Sequence, residues 1–360
     1  MVSWFGLLLP PKPNHEVKNK EWVFMSNIRE VADLAGVSVA TVSRALQQPT
    51  LVSAKTREKV LAAVKTAGYQ PNLMAVKFRS GKTRNLVVLV PTVANVFFAR
   101  VISGMQQAAH QRQYALLLAN TQADETIEAS YANMVQTSQA DGLIQLRAHN
   151  PFVTLTSQPD GMLPMVNLCE VLDKVACPTV VLDNRSAATA MTEHLLALGH
   201  QRIAMIKGPA RSPLTRDRVA GYQDALAQAG LPFAAELLVP GDFTLQAGHQ
   251  AAAELLALPN RPTAIFCEND EMAIGALQQI KQQGLRVPED ISVAGFDDIA
   301  FAAFADPPLT TIAQPAEEFG STAVNLLIDL LEGKITKAPK VILPFELIER
   351  ASTGPVAAAQ

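Results

Sequence analysis

Cysteine, histidine and long apolar runs are all scarce in this chain of 360 residues, and each scarcity excludes a class of protein. The three cysteines, Cys169, Cys177 and Cys267, are too few and too scattered for a disulfide framework, and they predict reduced, buried thiols. The six histidines show no metal-ligand spacing, so we expect neither a metal nor a cofactor. No apolar run is long enough to span a bilayer. These absences predict a cytoplasmic protein without a membrane anchor.

The first 24 residues resemble neither a signal peptide nor a membrane anchor. Their apolar run WFGLLL is short, no basic residue precedes it, and it ends in Pro10-Pro11. We therefore expect a disordered extension over residues 1–24, with Met25 as the natural beginning of the protein.

Charge is distributed unevenly along the chain. Residues 25–85 contain ten basic and three acidic side chains, whereas the whole chain has a net charge of -3. A small basic segment joined to a large acidic remainder is typical of a polyanion-binding head with a separate body. A solvated basic face is the alternative on charge alone.

Two short helices separated by a tight turn are predicted directly after Met25. Gly36 suits the left-handed end of the first helix, and Ser38 suits the N-cap of the second. A third helix, from Ser53 to Gly68, would close a small core. The expected core residues at helical spacing are Ile28, Val31, Ala32, Ala35, Val42, Ala45, Leu46, Val60, Leu61 and Val64. This pattern predicts an all-α helix-turn-helix head, with a three-helix protein-binding bundle as the alternative.

The stretch VADLAGVSVATVSRAL within this segment resembles the DNA-binding head of the lactose/galactose-repressor (LacI/GalR) family of bacterial transcription regulators. The resemblance implies that Val39, Ala40 and Arg44 contact bases of double-stranded operator DNA. Because two of these residues are apolar, we expect contacts with thymine methyl groups, and Arg44 as the main polar reader. The implied phosphate contacts are Asn27, Thr41, Ser43, Ser53 and Thr56.

The family resemblance also implies a hinge helix after Pro71, which orders on DNA and inserts an apolar side chain into the minor groove. Phe78 aligns with the wedge position and Ala75 with a small residue in close contact. The nearby stretch SGKT resembles the end of a phosphate-binding loop. The required earlier glycine is replaced by Val76, and an apolar strand follows the stretch instead of preceding it, so the motif is incomplete.

From Leu86 onward, continuous apolar runs alternate with helical segments. Such runs predict strands that are buried on both faces, and hence parallel sheets covered by helices. There are too many strands for one modest sheet, so we expect two doubly wound subdomains, similar to periplasmic binding proteins, with a ligand cleft at the strand ends. The predicted strands contain LVVLV, YALLLA, DGLIQL, PMVNL, TVVLD, RIAMI, TAIFC and ISVAGF.

Polar and aromatic residues just beyond these strands match the effector-contact positions of the family. They are Phe97, Phe98, Arg218, Phe243, Asn269 and Asp297. Aromatic faces suit a base, and charged groups suit ribose hydroxyls. Ser212 and Leu214 argue against a purine corepressor, and the segments GPARSPL and GDFTLQAG most resemble the cytidine-repressor branch. The implied effector is a nucleoside such as cytidine, with a sugar as the alternative.

The resemblance implies a transcriptional repressor. We expect a homodimer, since the C-terminus lacks the apolar heptads of the tetramerising tail found in the family. Nothing resembles a catalytic constellation, so we expect no enzyme, and a solute-binding protein is the rival without DNA binding. The resemblance also implies a second DNA-bound regulator as a candidate partner. The expected domains are a disordered extension (1–24), a helix-turn-helix domain (25–71), a hinge helix with its linker (72–85), and two body subdomains (86–184 with 314–343, and 185–313 with 344–360).

Overall fold

The computed structural model describes residues 27–69, 82–152, 163–172 and 175–356. The chain divides into two compact units, Met1–Ser80 and Gly81–Gln360. The expectations for residues 1–24, for Ala75 and for Phe78 fall outside the described residues. Within the described ranges, no helix is sufficiently long and apolar to cross a membrane.

The described part of the first unit contains three α-helices: α1 (Ile28–Ala35), α2 (Val39–Gln47) and α3 (Ala54–Ala67), with a short 3-10 helix (Pro49–Leu51) between the last two. Gly36 ends α1 at φ +64° and Gly68 ends α3 at φ +60°, a conformation that glycine adopts without steric cost. The turn between α1 and α2 is therefore short, as the helix-turn-helix prediction requires.

A small apolar core joins the three helices. Its buried members are Val31, Ala32, Ala35, Val42, Ala45, Val60 and Ala63. The expectation for Leu61 is wrong, because this residue is 49% exposed. Ala63 takes the inward position instead, since an inward stripe that contains Val60 continues three residues later rather than at the next residue.

Six parallel strands make the first sheet of the second unit, in the order β11-β5-β4-β3-β1-β2. They are β1 (Asn85–Val90), β2 (Ala115–Asn120), β3 (Gly142–Gln145), β4 (Met165–Leu168), β5 (Thr179–Leu182) and β11 (Lys340–Leu343). The described helices of this lobe are α4 (Val96–Gln111), α5 (Glu125–Gln136) and α10 (Ala316–Leu331).

Four parallel strands make the second sheet, in the order β7-β6-β8-β9. They are β6 (Ile203–Lys207), β7 (Leu238–Pro240), β8 (Ala264–Cys267) and β9 (Ser292–Ala294). The helices of this lobe are α6 (Asn184–Ala197), α7 (Pro213–Gln228), α8 (Leu245–Leu256) and α9 (Asp270–Gln282). Two parallel-sheet lobes confirm the predicted fold class, and all eight apolar runs contain a strand.

The chain crosses between the lobes three times: after β5, between β10 (Thr311–Ala313) and α10, and after β11. Strand β10 pairs antiparallel with β12 (Glu346–Ile348), which begins three residues after β11 ends. This short pair lies where the chain passes from one lobe to the other.

Strand β2 departs from the expectation of burial on both faces. It is the edge strand of the first sheet, and its Leu118 is 41% exposed. The apolar run predicted the strand correctly, but periodicity does not distinguish an edge strand with an uncovered face from a central strand.

Glycine allows α4 and α10 to pack closely in the first lobe. A Cβ atom on Gly104 would lie 2.1 Å from the carbonyl oxygen of Glu317, and one on Gly320 would lie 2.0 Å from that of Val101. The backbones of α4 and α10 are therefore in direct contact at both glycines. This contact holds α10 against the first lobe, to which the chain returns after β10.

We expect Gly104→Ala to destabilise the protein by about 1–3 kcal/mol, because the added methyl group pushes the two helices apart. Urea unfolding followed by circular dichroism measures this loss. Ser103→Ala, at the exposed neighbouring position on α4, is the control and should change the free energy of unfolding very little. Equal stability of the two variants would contradict the proposed close packing.

Candidate functional site

Helix α2 presents short side chains and one arginine on its outer face. Val39, Ala40 and Arg44 are exposed, and Thr41 and Ser43 are half-buried. The opposite face of α2 lies in the core of the head through Val42 and Ala45. Small side chains let a helix backbone approach a groove closely, and the exposed guanidinium extends from the same face.

Four predicted phosphate contacts lie at the N-terminal ends of helices: Asn27 and Ser53 are caps, and Thr41 and Thr56 lie in the first turns. The Asn27 side chain accepts hydrogen bonds from the backbone N–H groups of Arg29 (3.0 Å) and Glu30 (3.1 Å). The Ser53 hydroxyl accepts from the N–H of Thr56 (3.3 Å) and is 2.9 Å from its hydroxyl. Since helix N-termini attract anions, these residues suit phosphate contacts through their helices as well as their side chains.

A cavity of about 810 Å³ lies between the two lobes of the body. Its lining comes from the segments that follow strands of both sheets, where ligands of doubly wound folds bind. The structure brings all six predicted effector residues to this one cavity: Phe97, Phe98, Arg218, Phe243, Asn269 and Asp297. Among the described residues, no group of three acidic, histidine or cysteine side chains is arranged to hold a metal ion.

Arg218 is the most deeply buried cation of the cavity, with 4% of its surface exposed. Its Nε donates to Asn184 Oδ1 at 2.9 Å, and its Nη1 donates to the carbonyl oxygen of Glu268. The guanidinium carbon lies 3.5 Å from the centre of the Phe296 ring. These contacts fix the guanidinium as a planar donor at the wall of the cavity.

Asp297 faces Arg218 from a strained backbone position at φ +111°. Its Oδ1 accepts from Gln314 Nε2 at 2.6 Å. Burial raises the pKa of Asp297 to about 7, although the nearby Arg218 charge opposes the shift. A carboxylate and a guanidinium in this arrangement can bond neighbouring hydroxyl groups of a ligand.

Two further buried carboxyl groups lie behind the cavity wall. Burial raises the pKa of Glu268 to about 7, against the effect of Arg218 and of the hydrogen bonds from Gly208 and Thr215. Burial, with the nearby Asp297 charge, raises the pKa of Asp270 well above its usual value. Neither is among the residues that line the cavity.

Three aromatic rings and one amide complete the predicted set. The rings of Phe97 and Phe98 are 5.9 Å apart. The Phe243 ring lies so close to Gly208 that any Cβ there would be 2.1 Å from it. Asn269 caps α9 by accepting from Met272 N (3.0 Å) and donates to the carbonyl of Phe243 (3.0 Å). Asn269 therefore positions Phe243 and the start of α9.

Comparison with known proteins identifies both parts of the chain. Residues 27–72 match the bacterial regulatory proteins of the lacI family, and residues 192–353 match the periplasmic binding protein-like domain. The chain is 39% identical over 337 residues to the HTH-type transcriptional repressor CytR of Escherichia coli K12, covering 94% of this chain and 99% of that protein. The chain belongs to the LacI family of transcriptional regulators.

Two solved structures are similar over nearly their whole length. A lac repressor dimer bound to operator and the anti-inducer ONPF is 30% identical, with a TM-score of 0.82, and the match covers 91% of this chain and 99% of that one. A complex of the transcriptional regulator CelR with cellobiose is 31% identical, with a TM-score of 0.69 and the same coverage. The resemblance to the LacI family, with similarity to the cytidine repressor, is thereby confirmed.

The sequence analysis missed a polar cluster on the first-lobe side of this LacI-family cavity. Arg147 and His149, which follow β3, line the cavity together with Glu125. Both bond the fully buried Glu128 of α5. The signal that could have found them is the position of RAH directly after the apolar run DGLIQL, the same signal that was used for the other segments.

Direct contacts between the lobes were also missed. Ser212 donates to Glu170, which follows β4 and also accepts from the N–H of Ala148 at 2.6 Å. The N–H of Val96 donates to Glu271 of the second lobe at 3.2 Å. Both carboxylates line the cavity, so its rim holds the lobes together by hydrogen bonds.

Backbone strain also collects at the cavity. Five of the non-glycine residues with positive φ among those described line it: Gln122, Ala123, Cys169, Phe243 and Asp297. Strained backbone is concentrated at functional sites, where surrounding contacts hold it in place.

The buried carboxyl groups predict a pH-dependent stability. A carboxyl whose folded pKa is raised binds more protons when folded, so the free energy of unfolding falls as pH rises from about 4 to about 7. Glu268→Gln and Asp297→Asn should each remove about 1–3 kcal/mol of that fall. Urea titrations at pH 5 and pH 8 measure it, with exposed Glu254→Gln as control. A wild-type protein that gains stability over this range would contradict the assignment.

Proposed function

We propose that the chain is a homodimeric repressor whose operator affinity is set by a nucleoside, such as cytidine, bound in the cavity between the lobes. The observation that carries the proposal is the convergence of six separate sequence positions on one cavity, with hydroxyl-binding groups beside aromatic rings. Its volume of about 810 Å³ is within the usual range for small-molecule sites. A sugar is the alternative effector, because CelR was solved with cellobiose.

The order of the strands favours an effector made of two parts. Asn184, which anchors Arg218, follows β5, whereas His149 follows β3, and only β4 lies between these strands. Two strand spacings separate the segments by about 10 Å. A ribose joined to a base extends over such a length, as does a disaccharide such as cellobiose, whereas a single sugar ring does not.

For the DNA interface we propose that Val39, Ala40 and Arg44 contact bases in a major-groove half-site. The proposed phosphate contacts are Asn27, Thr41, Ser43, Ser53 and Thr56. The exposed face of α2 and the capped helix N-termini support this assignment. Ala75 and Phe78 stay proposed as minor-groove contacts of the hinge.

The proposed dimer is supported by the lac repressor dimer on its operator and by the exposed apolar edge of the first sheet, where Leu118 lies. Two copies place two recognition helices on a near-palindromic operator. We propose a cytoplasmic location, since operator DNA is the partner, and a second DNA-bound regulator as a further partner. The effector would change the angle between the lobes and thereby the operator affinity. No reaction is assigned to the chain.

We expect Arg44→Ala to weaken operator binding and to relax discrimination at one base pair per half-site by about 1–3 kcal/mol. Fluorescence anisotropy on a duplex selected from random sequences, and on its single-base variants, measures both effects. Lys59→Ala removes the same charge from exposed α3 and should weaken all duplexes equally. An unchanged base preference in the arginine variant would remove Arg44 from the base-reading set.

We expect Asp297→Asn to weaken binding of the effector about 10- to 150-fold, since a hydrogen bond to a charged group contributes about 1.5–3 kcal/mol. Operator affinity without effector should not change. Calorimetric titration with cytidine measures the loss. Asp217→Asn is the control, because Asp217 is paired with Arg216 at the surface. Normal cytidine affinity in the Asp297 variant would exclude this carboxylate from the binding site.

A further inference from the structure

The guanidinium group of Arg147 is anchored through one nitrogen and free along one edge. Arg147 follows β3 by two residues and lines the cavity. Its Nη1 donates to Glu128 Oε1 at 2.8 Å and to the carbonyl oxygen of Ala123 at 3.0 Å. Glu128 is fully buried, whereas the Arg147 side chain is 28% exposed. The two bonds of Nη1 fix the plane of the group, and Nε and Nη2 have no acceptor among the described residues.

The free edge is a fork of two nearly parallel N–H donors. Nε and Nη2 point the same way from one planar group, and such a fork fits two acceptors that are bonded to one carbon atom. Arg100 of this chain shows the fit, since its Nε and Nη2 donate to the two carboxylate oxygens of Glu317 at 2.9 and 2.8 Å. The same atoms of Arg147 therefore have the geometry to bind a pair of adjacent acceptors on a ligand.

The charges around the cavity favour a neutral pair of acceptors. Glu128 already balances the charge of Arg147. Among the described residues, five carboxyl side chains line the cavity, against three guanidinium groups, those of Arg147, Arg211 and Arg218. A phosphate or carboxylate group on the ligand would add negative charge to this acidic lining, and like charges repel more strongly in a partly enclosed site than in water. A neutral group has no such cost.

The order of the strands places a base beside Arg147. Phe97 and Phe98 follow β1, and β1 is the neighbour of β3 in the first sheet. Neighbouring strands are about 5 Å apart, so a base that lies against these rings has its edge within reach of the Arg147 fork. The ribose hydroxyl groups proposed to bind Arg218 and Asp297 then lie on the other side of the cavity.

We propose that Arg147 selects the base of the effector by donating from Nε and Nη2 to two adjacent acceptors, O2 and N3 of cytosine. Both atoms are bonded to one ring carbon, as the two oxygens of a carboxylate are, but the base is neutral. In uracil N3 carries a hydrogen atom, so the fork would face a donor there and lose one of its two bonds. The inference rests on the proposed nucleoside effector and adds the residue that decides between pyrimidine nucleosides.

The test is calorimetric titration of the full-length protein with cytidine, uridine and two analogues of cytidine. The analogue 3-deazacytidine keeps the amino group and O2 but has a C–H group in place of N3, whereas zebularine keeps O2 and N3 and lacks the amino group. Uridine and 3-deazacytidine should bind about 5- to 150-fold more weakly than cytidine, the effect of losing a bidentate contact. Zebularine should bind within about threefold of cytidine, since it keeps both acceptors.

The variant Arg147→Lys tests the fork itself. Lysine keeps a positive charge opposite the buried Glu128, so the ion pair is not broken, but an ammonium group has no planar fork of donors. Cytidine should then bind no more than about threefold more tightly than uridine or 3-deazacytidine. Arg216→Lys, at an arginine that pairs with Asp217 on the surface, is the matched control and should keep the full preference.

The outcomes separate this inference from the proposed function. Equal affinity for cytidine and 3-deazacytidine, or full preference in Arg147→Lys, overturns the role of Arg147 and leaves the nucleoside effector in place. Zebularine binding as weak as that of 3-deazacytidine assigns the selection to the amino group and also overturns it. Failure of all four nucleosides to bind overturns both proposals. Thermal unfolding shows whether each variant is folded, and a lost preference in folded Arg147→Lys supports the fork.

Cytidine 5′-monophosphate distinguishes the base from a phosphate as the group that the fork binds. It should bind the wild-type protein more weakly than cytidine, because the lining of the cavity is acidic. Tighter binding of the monophosphate than of cytidine would assign the fork to the phosphate and overturn the inference.

Discussion

Burial of the Arg218 guanidinium is the constraint on which the arrangement of the cavity depends. The group touches Asn184, where the chain leaves the first sheet, and the carbonyl of Glu268 at the end of β8. It also stacks on Phe296, two residues after the end of β9. A buried charge is costly without partners, so these three segments are held in one geometry. Lysine would not replace it, since an ammonium group lacks both the planar face and the fixed fork of donors.

The same burial determines the chemistry of the surrounding carboxyl groups. Glu268, Asp270 and Asp297 all lie in the low-dielectric region around Arg218, and the pKa of each is raised. Folding places them there at a cost in stability that is greater above neutral pH. The raised pKa values and the strained φ of Asp297 both lower the stability of the folded protein. Such losses are common where a binding site is held in a fixed geometry.

Much of this architecture was predictable because its signals are local. Apolar runs indicated eight strands, and the caps Ser38 and Ser53 indicated two helix starts. The missed strands are short, and in β11 Ile342 is exposed rather than packed in the core. The position of Arg147 and His149 after an apolar run could have placed them at the cavity, but their contact with Glu128 could not be inferred, since Glu128 lies on a different element. Only the fold shows that they meet.

Control by an effector requires that the ligand prefer one arrangement of the lobes over another. Hydrogen bonds already join the lobes at the cavity rim, from Ser212 to Glu170 and from Val96 to Glu271, without help from a ligand. This arrangement of the lobes is thus stabilised by the protein itself, and an effector that prefers it would add its binding energy to an existing state. However tightly an effector binds, it can change operator affinity only by as much as its own affinity differs between the two arrangements of the lobes.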